Sequence, residues 1–251
     1  IKKLITKVAS IEDAPEMYEK LLKGNRSEIG VVLVYKQREE EFERTKLARL
    51  VRFPENKKLN KIDQNSPVGI SLIGAGLYGR GTLLPSLKKI SGTCLKGVVS
   101  AKGLSATRVG KQYGFEYATT DYPEVLSDSG TDLVIILTRH DSHSRLAVES
   151  LNAGKHVFVE KPLALNIEQL IEVIDTYNRQ PELLLYVGFN RRFSPMAHKL
   201  KERFQRLSCP LSITCTVNAG KISEDSWIYD PVEGGGRIIG EICHFVDLIQ
   251  Y

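Results

Sequence analysis

The stretch Val68-Gly69-Ile70-Ser71-Leu72-Ile73-Gly74-Ala75-Gly76-Leu77-Tyr78-Gly79 decides the fold. An apolar run of strand length leads into a Gly-x-Gly-x-x-Gly turn, and a helical pattern over Tyr78–Ile90 follows. Strand, glycine turn and helix in that order form the phosphate cradle of a dinucleotide-binding domain. Gly74 permits the tight turn, Gly76 lets a pyrophosphate approach the backbone, and Gly79 lets helix and strand pack closely. The helix N-terminus then offers free N–H groups and a favourable dipole to the phosphates. Leu77 and Tyr78, inside the turn, are counted with the three glycines as cofactor-binding candidates. The alternative is a glycine-rich structural turn.

Downstream, apolar runs alternate with helical patterns, which predicts an α/β, doubly wound parallel sheet. Strands are expected over Cys94–Ser100, Leu133–Thr138, His156–Val159 and Leu183–Val187. Helices are expected over Ser105–Tyr113, Ser142–Ala153, Ile167–Tyr177 and near Pro195–Leu207. The run Leu211–Val217 then alternates apolar and small polar residues, as a strand with one covered face would. The predicted organisation is a dinucleotide-binding domain over residues 67–189, followed at 190–251 by the start of an α+β, open-faced sheet domain that is expected to be truncated: Ile1 opens in a strand-like run and Tyr251 falls inside a helical one, so a fragment is expected.

Upstream, Asp13-Ala14-Pro15 starts a helix that Gly24-Asn25 stops, and Gly30–Tyr35 reads as a strand. Residues 36–66 read as a charged linker with a helix over Glu39–Phe53. That segment holds nine basic and six acidic residues, more than half of the chain's formal excess of +5. Interleaved signs make a solvated segment and not a phosphate-binding stripe, so no nucleic-acid partner is expected. No apolar run approaches the roughly 20 residues of a membrane span, and no signal-peptide pattern opens the chain, which predicts a cytoplasmic protein with no membrane partner. The four cysteines, Cys94, Cys209, Cys215 and Cys243, lack metal-type or redox-type spacing. They are expected to be reduced structural thiols, with no metal site.

Two places carry chemistry. About 20 residues after the glycines, where an Asp or Glu ordinarily holds a ribose 2′-hydroxyl, the chain has Ser100-Ala101-Lys102. A hydroxyl and a cation, with no carboxylate to repel a 2′-phosphate, predict NADP(H) ahead of NAD(H), and Arg108 stands further along the next helix. The second place is Lys161, in Val157-Phe158-Val159-Glu160-Lys161-Pro162. It follows an apolar strand, at the carboxyl edge where such sheets keep their ligands. Glu160 is counted with it among the cofactor contacts.

From the glycine turn, His143, residues 153–162, Gly188-Phe189-Asn190-Arg191-Arg192-Phe193, Gly234-Gly235-Gly236, His244 and Asp247, the chain from Val68 onward resembles the glucose–fructose oxidoreductase, inositol dehydrogenase and rhizopine-catabolism (Gfo/Idh/MocA) family. The resemblance implies oxidation or reduction of a sugar, cyclitol or nucleotide-sugar carbon by a nicotinamide cofactor. It places Lys161 at the junction of cofactor and substrate, His244 as acid–base partner, and Thr138 and His143 in the cofactor loop. It also implies sheet faces paired between subunits, hence a homo-oligomer. Two departures stand out. Where the family often has an Asp four residues before the histidine, this chain has Gly240, so Glu241 is the candidate for the acidic role; and Arg139-His140 replaces Pro-Asn. Asn190-Arg191-Arg192 suits substrate contact or an interdomain anchor equally, and Trp227 with Tyr229 reads as core ahead of a sugar-stacking platform. The N-terminal residues, from Ile5-Thr6 to the Val31–Tyr35 strand, resemble the C-terminal end of medium-chain alcohol dehydrogenases, which implies a fused two-dehydrogenase protein. The competing readings are a cofactor-binding scaffold or sensor without turnover, and a redox-neutral hydrolase or lyase that uses bound nicotinamide transiently.

Overall fold

The computed structural model describes residues 5–22, 30–34, 50–53 and 67–251. The chain divides into two compact units, Ile1–Leu47 and Ala48–Tyr251. In the first, strand β1 (Lys7–Ser10) leads through a short 3-10 turn into helix α1 (Ala14–Leu22), and β2 (Val31–Val34) pairs parallel to β1. Met17 is the buried residue of α1. The expected helix stop at Gly24-Asn25 lies outside the described residues.

The second unit is built on a seven-stranded sheet of order β3-β6-β5-β4-β7-β8-β9. Its strands are β3 (Leu50–Arg52), β4 (Val68–Ile73), β5 (Thr93–Val99), β6 (Tyr117–Thr119), β7 (Leu133–Ile136), β8 (His156–Val159) and β9 (Leu185–Val187). All neighbours are parallel except β3, which runs antiparallel to β6 with Leu50 opposite Thr119. The order reverses direction at β4, and that switch point is where such sheets bind ligands. Between the strands run α2 (Leu84–Leu87), α3 (Gly103–Tyr113), α4 (Pro123–Ser127), α5 (His143–Asn152) and α6 (Ile167–Asn178), and the sheet is followed by α7 (Pro195–Phe204) and α8 (Cys243–Gln250).

Strand side chains alternate between two apolar layers. Ile70 and Leu72 of β4 and Ile135 of β7 join Leu84, Ala106 and Val109 on one face. On the other face, Ile73, Val134 and Ile136 meet Leu146, Ala147 and Leu151 of α5. A strand buried on both faces needs apolar residues at consecutive positions, which is why these strands read as unbroken hydrophobic runs. Chain punctuation is local: α3 ends on Gly114 in the left-handed region at φ 83°, and Asn166 caps α6 by accepting the Gln169 N–H at 2.9 Å.

Three expectations change. Leu50–Arg52 is a strand, where the charged segment predicted a helix reaching Phe53, so the sheet unit begins upstream of Pro67; the rest of residues 36–49 and 54–66 lies outside the described residues. The open edge of β6 supplies a ladder for this stretch, and Phe53 packs into the apolar layer. Residues 211–217 form no strand, and Leu211, Ile213 and Val217 are exposed, because among the described residues no neighbouring strand completes a ladder for them. The short elements β6 and α4 carried too few residues for a period to be read.

Candidate functional site

Parallel strands bring their carboxyl ends to one edge, and this edge collects Gly74 after β4, Ser100 after β5, Thr138 beyond β7 and Glu160-Lys161 after β8. The glycines of the turn divide the work. Gly74 has φ 102°, and a Cβ there would stand 2.6 Å from the Leu137 carbonyl oxygen, so only glycine fits. A Cβ on Gly79 would meet Leu137 Cδ1 at 2.9 Å, which is the close packing of helix on strand. Around Gly76 nothing lies within 4 Å of that position, leaving its backbone open to a phosphate. The helix over residues 77–87 begins there and contains a π-type turn at Gly79–Leu83.

A cavity of about 290 Å³ opens beside this turn, walled by Tyr78, Thr138, Glu160, Lys161, Asn190 and His244, with His140 and Trp227 completing the rim. Lys161, at a cis Lys161–Pro162 peptide, donates its ammonium to the Gly240 carbonyl oxygen at 2.5 Å. Helix α8 supplies His244, whose ring packs edge-on against Phe189 at 6.0 Å between centroids. Burial first, and then the Lys161 and Arg191 cations, lower the His244 pKa to about 4, while Asp247 opposes them. The ring is therefore neutral at pH 7 and able to accept a proton. Burial likewise raises the Glu160 carboxyl above the usual carboxylate range, against the pull of Lys161.

Two buried polar atoms here, Glu160 Oε1 and His244 Nδ1, have no hydrogen-bond partner among the described residues. Such groups in a folded protein are ordinarily paired, so two orphans beside one cavity fit a polar ligand. With Gly76 open and Glu160 Oε1 without a partner, the residues present suit a nicotinamide dinucleotide laid across this edge. Lys102 and Ser100 stand at the neighbouring strand end, Lys102 exposed directly before α3, away from the Lys161 cavity.

The loop from β7 to α5 is held by histidines. His143, 1% exposed, points Nδ1 at the Pro162 carbonyl oxygen (2.8 Å) and Nε2 at that of Thr138 (3.1 Å). Burial lowers its pKa although both carbonyls favour the charged form. Its ring thus ties the Thr138 loop to the Lys161-Pro162 turn, and Thr138 also receives a hydrogen bond from Ser142 at 2.7 Å. His140 sets Nδ1 2.9 Å from the Gly234 carbonyl oxygen and packs edge-on to Trp227 at 4.7 Å. Arg139 pairs with Glu233 and lies over the Trp227 ring at 5.6 Å.

The structure brings Lys161, Glu160, His244, Thr138, His143 and Tyr78 together, and leaves Glu241 out. The Glu241 carboxylate is held by Arg237 one helical turn away, at 2.9 Å, and does not wall the cavity, which corrects its assignment to the acidic role. Arg192 donates to Asp247, with Nε–Oδ2 at 2.9 Å, and so anchors α8; Arg191 lies over Phe245 at 4.5 Å; Asn190 faces the cavity. Trp227 is a half-buried cavity wall and Tyr229 is exposed, so neither is core. His140 escaped the sequence reading, its one signal being that it stood where Asn was expected. A larger groove of about 630 Å³ beside it has mostly apolar walls, including Leu165, Leu170, Ile239 and Val246, and none of these reactive groups.

Comparison with known proteins agrees with this geometry. Residues 68–189 match the model of the Gfo/Idh/MocA family, described as an oxidoreductase family with an NAD-binding Rossmann fold. A 4-carboxy-2-hydroxymuconate-6-semialdehyde dehydrogenase from Sphingobium sp. is 36% identical over 126 residues, 50% of this chain and 39% of that protein. Myo-inositol 2-dehydrogenase from Thermotoga maritima is 32% identical over 133 residues, 53% of this chain and 39% of that protein. The chain therefore spans about two fifths of the length of these relatives. A crystal structure of KijD10, a 3-ketoreductase from Actinomadura kijaniata in complex with NADP and TDP-benzene, shares the fold with a TM-score of 0.59 at 22% identity, over 70% of this chain and 54% of that one.

Proposed function

We propose, for a chain that through residues 68–189 belongs to the Gfo/Idh/MocA oxidoreductase family, that the cavity at Lys161 is a hydride-transfer site acting on a hydroxyl or carbonyl carbon of a sugar, cyclitol or nucleotide-sugar. The observation that carries this reading is a fixed ammonium facing a cavity in which two buried polar atoms lack partners among the described residues. A bound nicotinamide dinucleotide supplies the acceptor or donor of hydride. The chain's own residues do the rest. Gly76 and the helix that follows receive the phosphates, and Glu160 offers its free oxygen to a ribose or amide donor. Lys161 hydrogen-bonds the reacting oxygen and stabilises negative charge as it develops there. A neutral cavity histidine, His140 or His244, takes the hydroxyl proton.

NADP(H) is proposed ahead of NAD(H), supported by the absence of a carboxylate at Ser100-Ala101-Lys102. The same proposal includes a cytoplasmic setting, self-association, a sugar-like substrate without nucleic-acid or membrane partners, and a dehydrogenase origin for the first unit, whose strand, helix and parallel strand suit that resemblance. A second reading, a cofactor-retaining scaffold or sensor, is favoured by the Arg237–Glu241 pair, which removes a nearby carboxylate from the chemistry. Titration with NADPH and NADH, followed by hydride exchange over a panel of sugars, cyclitols and nucleotide-sugars, separates them. Exchange that Lys161→Ala abolishes supports the enzyme; tight cofactor binding with no exchange supports the scaffold. Equal affinity for both cofactors overturns the NADP preference.

A further inference from the structure

We propose that His140 is the proton acceptor of this cavity, its ring set so close to Gly240 that a side chain there would crowd it, and sharing the cavity with the Lys161 side chain. The substrate it serves rests on the oxidoreductase reading; the state of the ring rests on geometry. An ideal Cβ on Gly240 would stand 3.0 Å from His140 Cε1 and 3.4 Å from its Nδ1. The imidazole cannot step aside freely, because Nδ1 lies 2.9 Å from the Gly234 carbonyl oxygen and the Trp227 ring crosses its edge at 4.7 Å. The backbone of Gly240 meanwhile holds the Lys161 ammonium at 2.5 Å. One glycine thus makes room for the imidazole and positions the lysine next to it.

The carbonyl at Gly234 can only accept, so Nδ1 carries the ring proton and Nε2 of the neutral ring keeps its lone pair. Among the described residues no hydrogen bond to Nε2 is formed, and His140 walls the cavity. His244 differs, since no partner at Nδ1 selects its tautomer. The lone pair is fixed on His140 and not on His244, which assigns the proton to His140. Burial first, and then His143 and Lys161, disfavour the imidazolium, while the Gly234 carbonyl and Asp141 favour it. The Arg139–Glu233 ion pair and the Asp141 N–H to Glu233 carbonyl bond, at 3.1 Å, strap the loop that carries His140 to the segment that carries Gly234. In the oxidative direction the substrate O–H proton would pass to Nε2 while the hydride of the same carbon would leave to a bound oxidised nicotinamide dinucleotide, the C–O bond becoming C=O; reduction would return both.

The test uses the full chain with 13C- and 15N-labelled histidine. The expected result is a His140 ring that is neutral and Nδ1-protonated at pH 7, with its midpoint below 6.5, the ordinary value. Gly240→Ala is expected to lower the melting temperature, and His140→Ala to absorb that loss in the double variant. His140→Ala should slow hydride exchange about 10²–10⁴-fold. It should keep nicotinamide affinity within about twofold, since a group that acts on the reacting oxygen contributes to the transition state and little to cofactor binding. It should also remove the acidic limb of the pH–rate profile, which His244→Asn retains. An Nε2-protonated or cationic ring at pH 7, additive effects of the two substitutions, or full exchange in His140→Ala each overturn the proposal. Absence of exchange by the unmodified protein on every substrate counts against the oxidoreductase reading instead, and the tautomer and the double-variant cycle still decide His140.

Discussion

The two ends of the parallel sheet differ in how completely they satisfy buried polar groups. At the amino end, Ser71 and Thr131 share a hydrogen bond of 2.7 Å, and Ser71 also accepts the Gly97 N–H at 3.0 Å. Tyr117 donates to Asp128 at 2.9 Å, and the Lys155 ammonium donates to the carbonyls of Asp128 and Thr131, both at 2.8 Å. At the carboxyl end His143 is bonded at both ring nitrogens, but Glu160 Oε1 and His244 Nδ1 are buried without partners among the described residues. A closed network stabilises, since each group lost from water regains its bonds within the protein. An open one carries an unmet desolvation cost that a ligand can offset. The contrast separates scaffold from site without reference to any relative.

That contrast can be broken experimentally. The largest effect is expected from Lys161→Ala, which should lower hydride exchange about 10²–10⁴-fold while costing about 1 kcal/mol of stability for the one bond to Gly240. Steady-state rates beside urea denaturation check it, and a variant that unfolds without losing specific activity would invert the assignment. Next come substitutions at the closed end. Lys155→Met and Ser71→Ala should each cost about 1–3 kcal/mol in urea, since carbonyls or N–H groups are left unpaired, with the cofactor dissociation constant unchanged. A cofactor defect in either would mean that the two ends are coupled.

Smaller again is Glu160→Gln. Replacing this half-buried carboxylate, whose Oε1 has no partner among the described residues, by its neutral isostere should leave stability equal or higher, yet weaken nicotinamide binding about tenfold through loss of one charge-assisted bond. Lower stability with unchanged binding would make Glu160 a scaffold residue.

A further effect concerns pH. The His244 pKa falls from 6.5 to about 4 on folding, so the unfolded chain takes up a proton that the folded chain refuses across that interval. The stability this contributes is present above pH 6.5 and is lost as pH falls from there towards 4. Melting curves across this window should show a shallower loss in His244→Asn, with His140 and His143, also lowered by burial, leaving a common slope in both proteins. Identical slopes would remove His244 as a contributor.

Much of the fold was legible because its signals are local. The run 68–79 encodes strand, turn and helix in one pass, and Gly74 and Gly79 each meet the close contact that their spacing implied. Lys161 and His244, 83 positions apart by numbering, were both marked in the sequence, and the fold sets them on one cavity. Glu241 misled because sequence proximity to His244 says nothing about a competing partner, and Arg237 sits one turn back. The Leu50–Arg52 strand was hidden for the same reason, as its ladder partner β6 lies some 65 residues further on.

The sequence by itself therefore determined the alternating architecture, the phosphate turn and the presence of a lysine at the strand end, since each follows from periodicity or from backbone geometry within a few residues. Only the tertiary structure decided which polar groups are satisfied. It paired Glu241 with Arg237, closed the Lys155 network, left Glu160 and His244 open, and fitted His140 into the space at Gly240. Hydrogen-bond satisfaction and steric room depend on neighbours brought together by long-range packing, and no local pattern of residues records them.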